Sequence, residues 1–438
     1  MAVKPPITVF EHESLRLGKG RAPLTPSQLK ALQAFYGEQG VPYYSLIYQG
    51  VKLNEYVGVI QIGDTTIEIL PKADKKQGES PSTQELWRKM LLDMLMAVGM
   101  FEVSAPTSSS LNLKSNSILD LYFELFLKEA EYLLHRGLIK KYRKVEGNTT
   151  ALKGNLKFGK HLQQNLTHQE RFYVQYTTYD VVHLWHSILY KTIKLLEQIN
   201  SNASLHSRIG TLLLNFPEVP ELNVTEATFN KLVYNRKSEP YRKAIEIARL
   251  LLLNYHPDVA RGKNHVLALL FDMNLLWETF IFVTLKKYFY KNQSAFTATA
   301  QTTKYFWKPQ NGNQSSIRPD ILIKRDGENY AVLDTKWKNL NGYNPSPDDL
   351  RQLYVYHEYY QAQRVALVYP GSELTKISGR YLHPSHGAET EKECSVLSLS
   401  VGNSIKEWQT YLGKEIEEWL MNTKENSLLK LLTPTDSR

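Results

Sequence analysis

Cysteine is almost absent from this 438-residue chain. Cys394 is the single one, which leaves no disulfide framework, no cysteine-rich zinc site and no iron–sulfur cluster. The sequence also lacks a G-x-x-x-x-G-K-[ST] phosphate loop, and Gly18-Lys19-Gly20 is no substitute, so nucleotide-driven work would need a partner. Long apolar runs are missing too. The longest, residues 267–285, carries Asp272 and Glu278 and is too short and too charged to span a membrane. The first ten residues hold two prolines where a secretory signal needs an uninterrupted apolar core. The expectation is a cytoplasmic protein with no membrane partner. Acidic residues are outnumbered, 44 against 53 Lys plus Arg, giving a formal charge of +9 that suits a polyanionic partner without proving one.

What is present is ordinary globular composition, 42% hydrophobic and 22% charged, on a chain long enough for two or three domains. Apolar and polar residues alternate along 56–62 and 66–70, which predicts two strands. Gly63-Asp64 between them has the chemistry of a hairpin turn. Thr25-Pro26-Ser27-Gln28 reads as an N-cap, a first-turn proline and a capping-box glutamine opening a helix. Residues 74–84 read as a polar linker. Helical periodicity covers 85–134, 180–199 and 241–253, and His256-Pro257 followed by 261–264 marks a boundary. Residues 136–160 hold eight basic residues and one acidic one. They form either a solvated face or a contact surface for phosphates, with Lys140, Lys141, Arg143 and Lys144 the candidate DNA contacts. Beyond the boundary we expect a helix over 266–289, a polar stretch to Ser316, strands over 321–324 and 330–336, a helix from Pro347 or Asp348 to Gln361 and a buried strand over 364–369. The fold class is then an α/β C-terminal part with a mixed central sheet flanked by helices, after a β-rich N-terminal region and a mainly helical middle.

The chemistry concentrates in Arg318-Pro319-Asp320 and Asp334-Thr335-Lys336. If 326–328 form a three-residue hairpin loop, residue 325 pairs with 329 and Asp320 with Asp334. Opposed residues on one sheet face have Cβ atoms about 4.5–5.5 Å apart. Two aspartates there repel each other unless a cation lies between them. Lys336 projects from the same face, two residues on. Carboxylates for Mg²⁺ (or Mn²⁺) plus a lysine for the nucleophile or the developing oxyanion are what phosphodiester hydrolysis needs. Glu278 is a further candidate metal ligand. Gln352 and Tyr356 share a face of the next helix. Gln352 is either a solvent-facing helix residue or part of the site, and Tyr356 either a core aromatic or a site residue. The pairs His183/His186 and His383/His386 are spaced H-x-x-H but have no cysteine or adjacent carboxylate set, so zinc is not expected. Core packing and helix-surface burial explain most of the tyrosines at 354, 356, 359 and 360; base stacking is the alternative, without support from periodicity.

Asp320, Asp334-x-Lys336, Glu278 and Gln352-x-x-x-Tyr356 together resemble the PD-(D/E)xK nucleases, in particular the branch with a RecB-like Q-x-x-x-Y helix. The single cysteine excludes the cluster-bearing Cas4 type. Further segments narrow the resemblance to the McrC family, the nuclease subunit of McrBC-type restriction systems directed at modified cytosine. These are Tyr56-Val57-Gly58-Val59-Ile60 leading to Ile69-Leu70-Pro71-Lys72, Arg136-Gly137-Leu138 with Tyr142, and Leu152-Lys153-Gly154-Asn155-Leu156. They continue with Asp180, Tyr241, the 272–278 segment and the 349–356 segment. The sequence departs from the pattern at Val181-Val182-His183-Leu184-Trp185-His186, where the family start would be more polar, and nothing matches after Pro370.

The resemblance implies catalytic roles for Asp320, Asp334, Lys336 and Gln352, metal ligation by Asp320, Asp334, Glu278 and Thr335, and DNA contact by Tyr356. It implies a separate McrB-like AAA+ GTPase, a hexameric ring that alone handles GTP, and double-stranded DNA carrying modified cytosine. The division expected is 1–110 for partner docking, 111–260 as a mainly helical middle with the basic segment, and 261–438 as the endonuclease. Two other readings compete. One is a non-catalytic DNA-binding adaptor that activates the GTPase; the other is a RecB-like repair nuclease acting without it.

Overall fold

Alternating apolar residues pair Tyr56–Ile62 with Thr65–Leu70 in the hairpin that the sequence predicts, turning at Gly63 and Asp64. In this computed structural model the described residues are 6–71, 81–98, 118–256, 265–338, 340, 344–371, 374–400 and 405–421. The linker expected at 74–84 lies outside them up to residue 80, and 81–84 already belong to the helix Pro81–Ala97. The boundary at 257–264 lies outside them entirely.

The hairpin is the centre of a five-stranded sheet with the strand order Ile7–Phe10, Thr65–Leu70, Tyr56–Ile62, Val266–Asp272, Tyr255–His256. Beside it, Ser14–Arg16, Gly50–Leu53 and Tyr44–Ile47 form a three-stranded sheet. The helix Pro26–Tyr36 has the expected capping box at Thr25 and Gln28.

The helix expected over 266–289 is two elements. Val266–Asp272 is a strand antiparallel to Tyr56–Ile62, and the helix is Met273–Lys291. A continuous apolar run does not distinguish a buried strand from a buried helix. Both faces of this one are covered: Leu267, Leu269 and Phe271 enter one core, Val266 and Ala268 another. Asp272 ends the strand and caps the helix, its carboxylate accepting from the amides of Asn274 (2.8 Å) and Leu275 (3.1 Å). Residues expected on the C-terminal side of the boundary are thus a strand of the N-terminal sheet.

The middle region is helical in Ile118–Arg136, Leu184–Ile199, Ala203–Asn215 and Arg242–Leu253. Between Lys141 and Leu156 its basic segment is not helical. Lys141–Thr149, Phe172–Asp180 and Asn155–Leu156 form a separate three-stranded antiparallel sheet, with the short helix Phe158–Asn165 against it.

The C-terminal part is a six-stranded mixed sheet in the order Phe296–Ala300, Ile321–Arg325, Glu328–Thr335, Arg364–Gly371, Glu389–Ser400, Thr375–Leu382. The strands Glu328–Thr335, Arg364–Gly371 and Glu389–Ser400 run parallel, and the remaining pairs are antiparallel. The helices Met273–Lys291 and Ile405–Met421 cover one face, where Trp277, Phe280 and Trp408 meet Ala366 and Val368. Pro347–Tyr360 covers the other, where Leu353, Tyr356 and Tyr360 meet Val365 and Leu367. The tail beyond Pro370, which matches nothing in the sequence reading, supplies two strands and a helix to this layer. The polar stretch before Ser316 contains three strands, Phe296–Ala300, Lys304–Trp307 and Ser315–Ile317. Among the described residues, no helix is long and apolar enough to cross a membrane.

Candidate active site

Asp326 and Gly327 both have positive φ, 51° and 89°, the conformation of a two-residue hairpin turn. The tip therefore pairs Arg325 with Glu328, one residue tighter than the expected 325–329 pairing. A bulge after Ile323 restores the frame, so that Ile321 faces Leu333 and the register carries Asp320 opposite Asp334. The expected juxtaposition is reached by a tighter turn and a bulge.

Asp334 is 1% exposed. Lys336 Nζ lies 2.8 Å from its Oδ2, and Gln352 Nε2 donates to its Oδ1 at 3.2 Å. Gln352 is itself braced, its Nε2 also donating to the Tyr356 hydroxyl (2.8 Å), which donates to the Arg318 carbonyl (3.1 Å). Asp320 Oδ2 accepts from the Thr335 amide (2.6 Å) and hydroxyl (2.8 Å). Glu278 Oε1 accepts from Gln301 Nε2 at 3.0 Å. The Gln301 amide donates to the Asp320 carbonyl from a left-handed backbone, φ 52°.

The electrostatics are those of crowded carboxylates. Burial, with the charge of Asp320 added, pushes Asp334 up to about 6, and Lys336 opposes the rise. Burial and then Asp320 also raise Glu278 against its bond from Gln301. Burial disfavours the Lys336 ammonium, but Asp334 outweighs this and holds its pKa above the ordinary value. Such a cluster can take up a hard divalent cation and, with Lys336, stabilise negative charge on a phosphate. Among the described residues, no three His, Cys, Asp or Glu side chains are gathered into a ready-made metal cage.

The structure brings together Asp320, Asp334, Lys336, Gln352 and Thr335, with Glu278 close enough to feel Asp320. Thr335 spends its hydroxyl on Asp320, so that side chain orients a carboxylate. Tyr356 does not fit the expectation of DNA contact: it is 3% exposed and sits behind Gln352. Lys140, Lys141, Arg143 and Lys144 are exposed at the edge of the separate small sheet, where Arg143 Nε is paired with Asp180 at 3.0 Å. Sequence reasoning missed three supports. Gln301 holds Glu278, Asn274 Oδ1 accepts from the Trp337 amide (3.2 Å), and Glu11 Oε1 accepts from Trp337 Nε1 (2.9 Å). Asn274 could have been found from the Asp272 cap that places it; Glu11 gives no local signal.

A family model described as "McrBC 5-methylcytosine restriction system component" matches residues 51–370. Among solved structures, a chain in the refined half-complex from a tetradecameric assembly of Thermococcus gammatolerans McrB AAA+ hexamers with bound McrC has a TM-score of 0.69 at 19% identity. That likeness covers 94% of this chain and 100% of the other and is one of fold. A chain in the cryo-EM structure of the Thermococcus gammatolerans McrBC complex gives a TM-score of 0.47 at 19% identity, covering 64% of this chain and 87% of that one. No curated protein matches.

Proposed function

This chain belongs to the family of McrBC 5-methylcytosine restriction system components, and from that premise we propose that it is the McrC-type subunit that cuts DNA. The observation that carries the reading is the buried Asp334, opposed to Asp320 and paired with Lys336 at 2.8 Å. We read the C-terminal sheet and its helices as a PD-(D/E)xK nuclease domain.

The donor set fits Mg²⁺ or Mn²⁺. Two carboxylates under mutual repulsion, with no third among the described residues closing a cage, suit an ion that takes one or two protein carboxylates and fills its other positions with water and substrate phosphate. Asp320 and Asp334 would hold it, with Glu278 acting directly or through water. When bound there, the ion supplies Lewis acidity and an acidified water. The chain's own groups do the rest. Lys336 places its ammonium where charge develops on the phosphate. Gln352 fixes Asp334, Tyr356 fixes Gln352, and Thr335 fixes Asp320.

The partner in this reading is a McrB-like AAA+ ring, as in the Thermococcus assembly whose chain shares this fold. GTP would enter only through that ring, and the substrate would be DNA bearing modified cytosine. The test combines chain, GTPase partner, GTP, Mg²⁺ and methylated DNA. Asp334→Ala is expected to reduce cleavage at least 100-fold while the stimulated GTPase rate stays within twofold. Undiminished cutting by the variant would remove the assignment. Wild-type stimulation without any nicking would favour the adaptor.

A further inference from the structure

Residues 301–319 connect the edge strand Phe296–Ala300 to Asp320, and they contain Lys304, Lys308 and Arg318 but no acidic residue. Within them Lys304–Trp307 pairs with Ser315–Ile317 as a two-stranded hairpin. A bulge between Tyr305 and Trp307 breaks the register, and bulges re-aim side chains. Here three consecutive aromatics reach solvent, Tyr305 at 67%, Phe306 at 44% and Trp307 at 57% exposure.

Single exposed aromatics are common and need no explanation. These three differ in being contiguous, in standing on a segment whose charged residues are all basic and in being tied to the site helix by hydrogen bonds. The site helix Pro347–Tyr360 grips the hairpin through its tyrosines. The Tyr359 hydroxyl donates to the Phe306 carbonyl (3.3 Å), and the Tyr360 hydroxyl contacts the carbonyls of Thr302 and Ile317. In return, Lys304 Nζ donates to the Tyr359 carbonyl (2.7 Å). Phe306 packs edge-on against Tyr359, with centroids 6.2 Å apart. The same helix presents Gln352 to Asp334, so the aromatic tip and the reacting centre are set by one rigid element.

We propose that the hairpin 304–317 is a DNA-engaging element of the nuclease, with Tyr305 and Trp307 stacking against or wedging between bases beside the scissile phosphate. The proposal rests on the nuclease reading of the Asp320–Asp334 site. Reach supports it: Trp307 pairs with Ser315, and the five residues from there to Asp320 span at most about 17 Å. Duplex DNA advances roughly 34 Å per turn, so a phosphate at Asp320 brings the hairpin within half a turn of bases. Aromatic faces are sequence-tolerant platforms, and wedged side chains unstack and bend a duplex.

The test measures DNA affinity and cleavage separately. Affinity is read by titrating the full chain with duplex oligonucleotide without Mg²⁺, and cleavage in the complete system with partner, GTP and Mg²⁺. The Tyr305→Ala/Trp307→Ala double variant is expected to bind at least tenfold more weakly and to cut at least tenfold more slowly. Tyr305→Phe/Trp307→Phe should recover most of both, because ring faces are kept. GTPase stimulation should not change. Wild-type affinity in the alanine variant, or loss of GTPase stimulation with affinity intact, which would mark a protein-docking surface, overturns the proposal. Failure of the nuclease reading looks different: wild type and Asp334→Ala would be equally unable to cut, while the affinity arm would still report on the hairpin.

Discussion

Asp334 is a carboxylate kept where its charge is unwelcome. A carboxylate whose pKa is raised in the folded state binds its proton more tightly there, so ionising it opposes folding. With an ordinary value of 3.8 and a folded value of about 6, the penalty is absent below pH 4 and complete above pH 6. It amounts to roughly 3 kcal/mol. Asp334→Asn should therefore gain stability relative to wild type as pH rises from 4 to 7, in the absence of metal, while losing cleavage. Urea unfolding of both proteins across that range measures the difference; a gap that does not change with pH would contradict the origin assigned to the shift. The opposition of Asp320 to Asp334 was legible from Pro319-Asp320, Asp334-x-Lys336 and the Asp-Gly turn because turn chemistry and strand register are local. Which of its two readings Tyr356 takes was not legible, because its burial depends on the strand Arg364–Gly371 packing beneath it, and no spacing in the sequence reports that.

At the scale of elements, the small basic sheet hangs on a clamp at its base. Chain enters it through Ile139 and leaves through Val181. His183 Nε2 donates to the Ile139 carbonyl (3.0 Å), and His186 Nδ1 donates to the Val181 carbonyl (2.5 Å). A carbonyl can only accept, so His186 carries its proton on Nδ1. Its Nε2 then accepts from the Tyr241 hydroxyl (3.0 Å), which in turn accepts from the Ile139 amide (3.0 Å). This gives the H-x-x-H pair, Tyr241 and the departure at 181–186 a shared structural purpose. Burial and the neighbouring His183 depress His186 to about 4. The folded state thus favours the neutral ring, and the clamp weakens as pH falls from 6.5 toward 4. Tyr241→Phe removes two hydrogen bonds and should lower stability by about 1–3 kcal/mol. It should also lower the exchange protection factor of the Ile139 amide at neutral pH, and mild acid should do the same in wild type. Unchanged protection in the variant would dissociate the clamp from the sheet's attachment. The sheet itself was not legible: Val174 is the one fully buried residue in its strands, so apolar alternation is lost. The strand Val266–Asp272 was misread for the opposite reason, being buried on both faces.

For the molecule as a whole, one core runs from Phe10, Val57 and Val59 of the first sheet through Trp277 and Trp337 to Trp408 and Leu412 at the C-terminal end. The N-terminal sheet is therefore packed into the C-terminal layer, and Glu11 is where the two meet chemically. It leaves the strand Ile7–Phe10, is 5% exposed, and accepts from the indole of Trp337, the residue that follows Lys336. The Trp337 amide is held by Asn274 at the start of the helix bearing Glu278. Displacement of the first sheet by a bound partner would reach Lys336 through this indole, a contact that joins positions 326 residues apart. Glu11→Ala is expected to slow partner-stimulated cleavage about tenfold or more at saturating DNA, with DNA affinity little changed. Glu11→Gln should restore most of the rate, since its amide oxygen still accepts from the indole. A simple loss of stability would lower the active fraction, which active-site titration measures, and leave the rate per active molecule unchanged. Equal rates per active molecule in Glu11→Ala and wild type would mean that the first sheet stabilises the C-terminal layer without positioning Lys336.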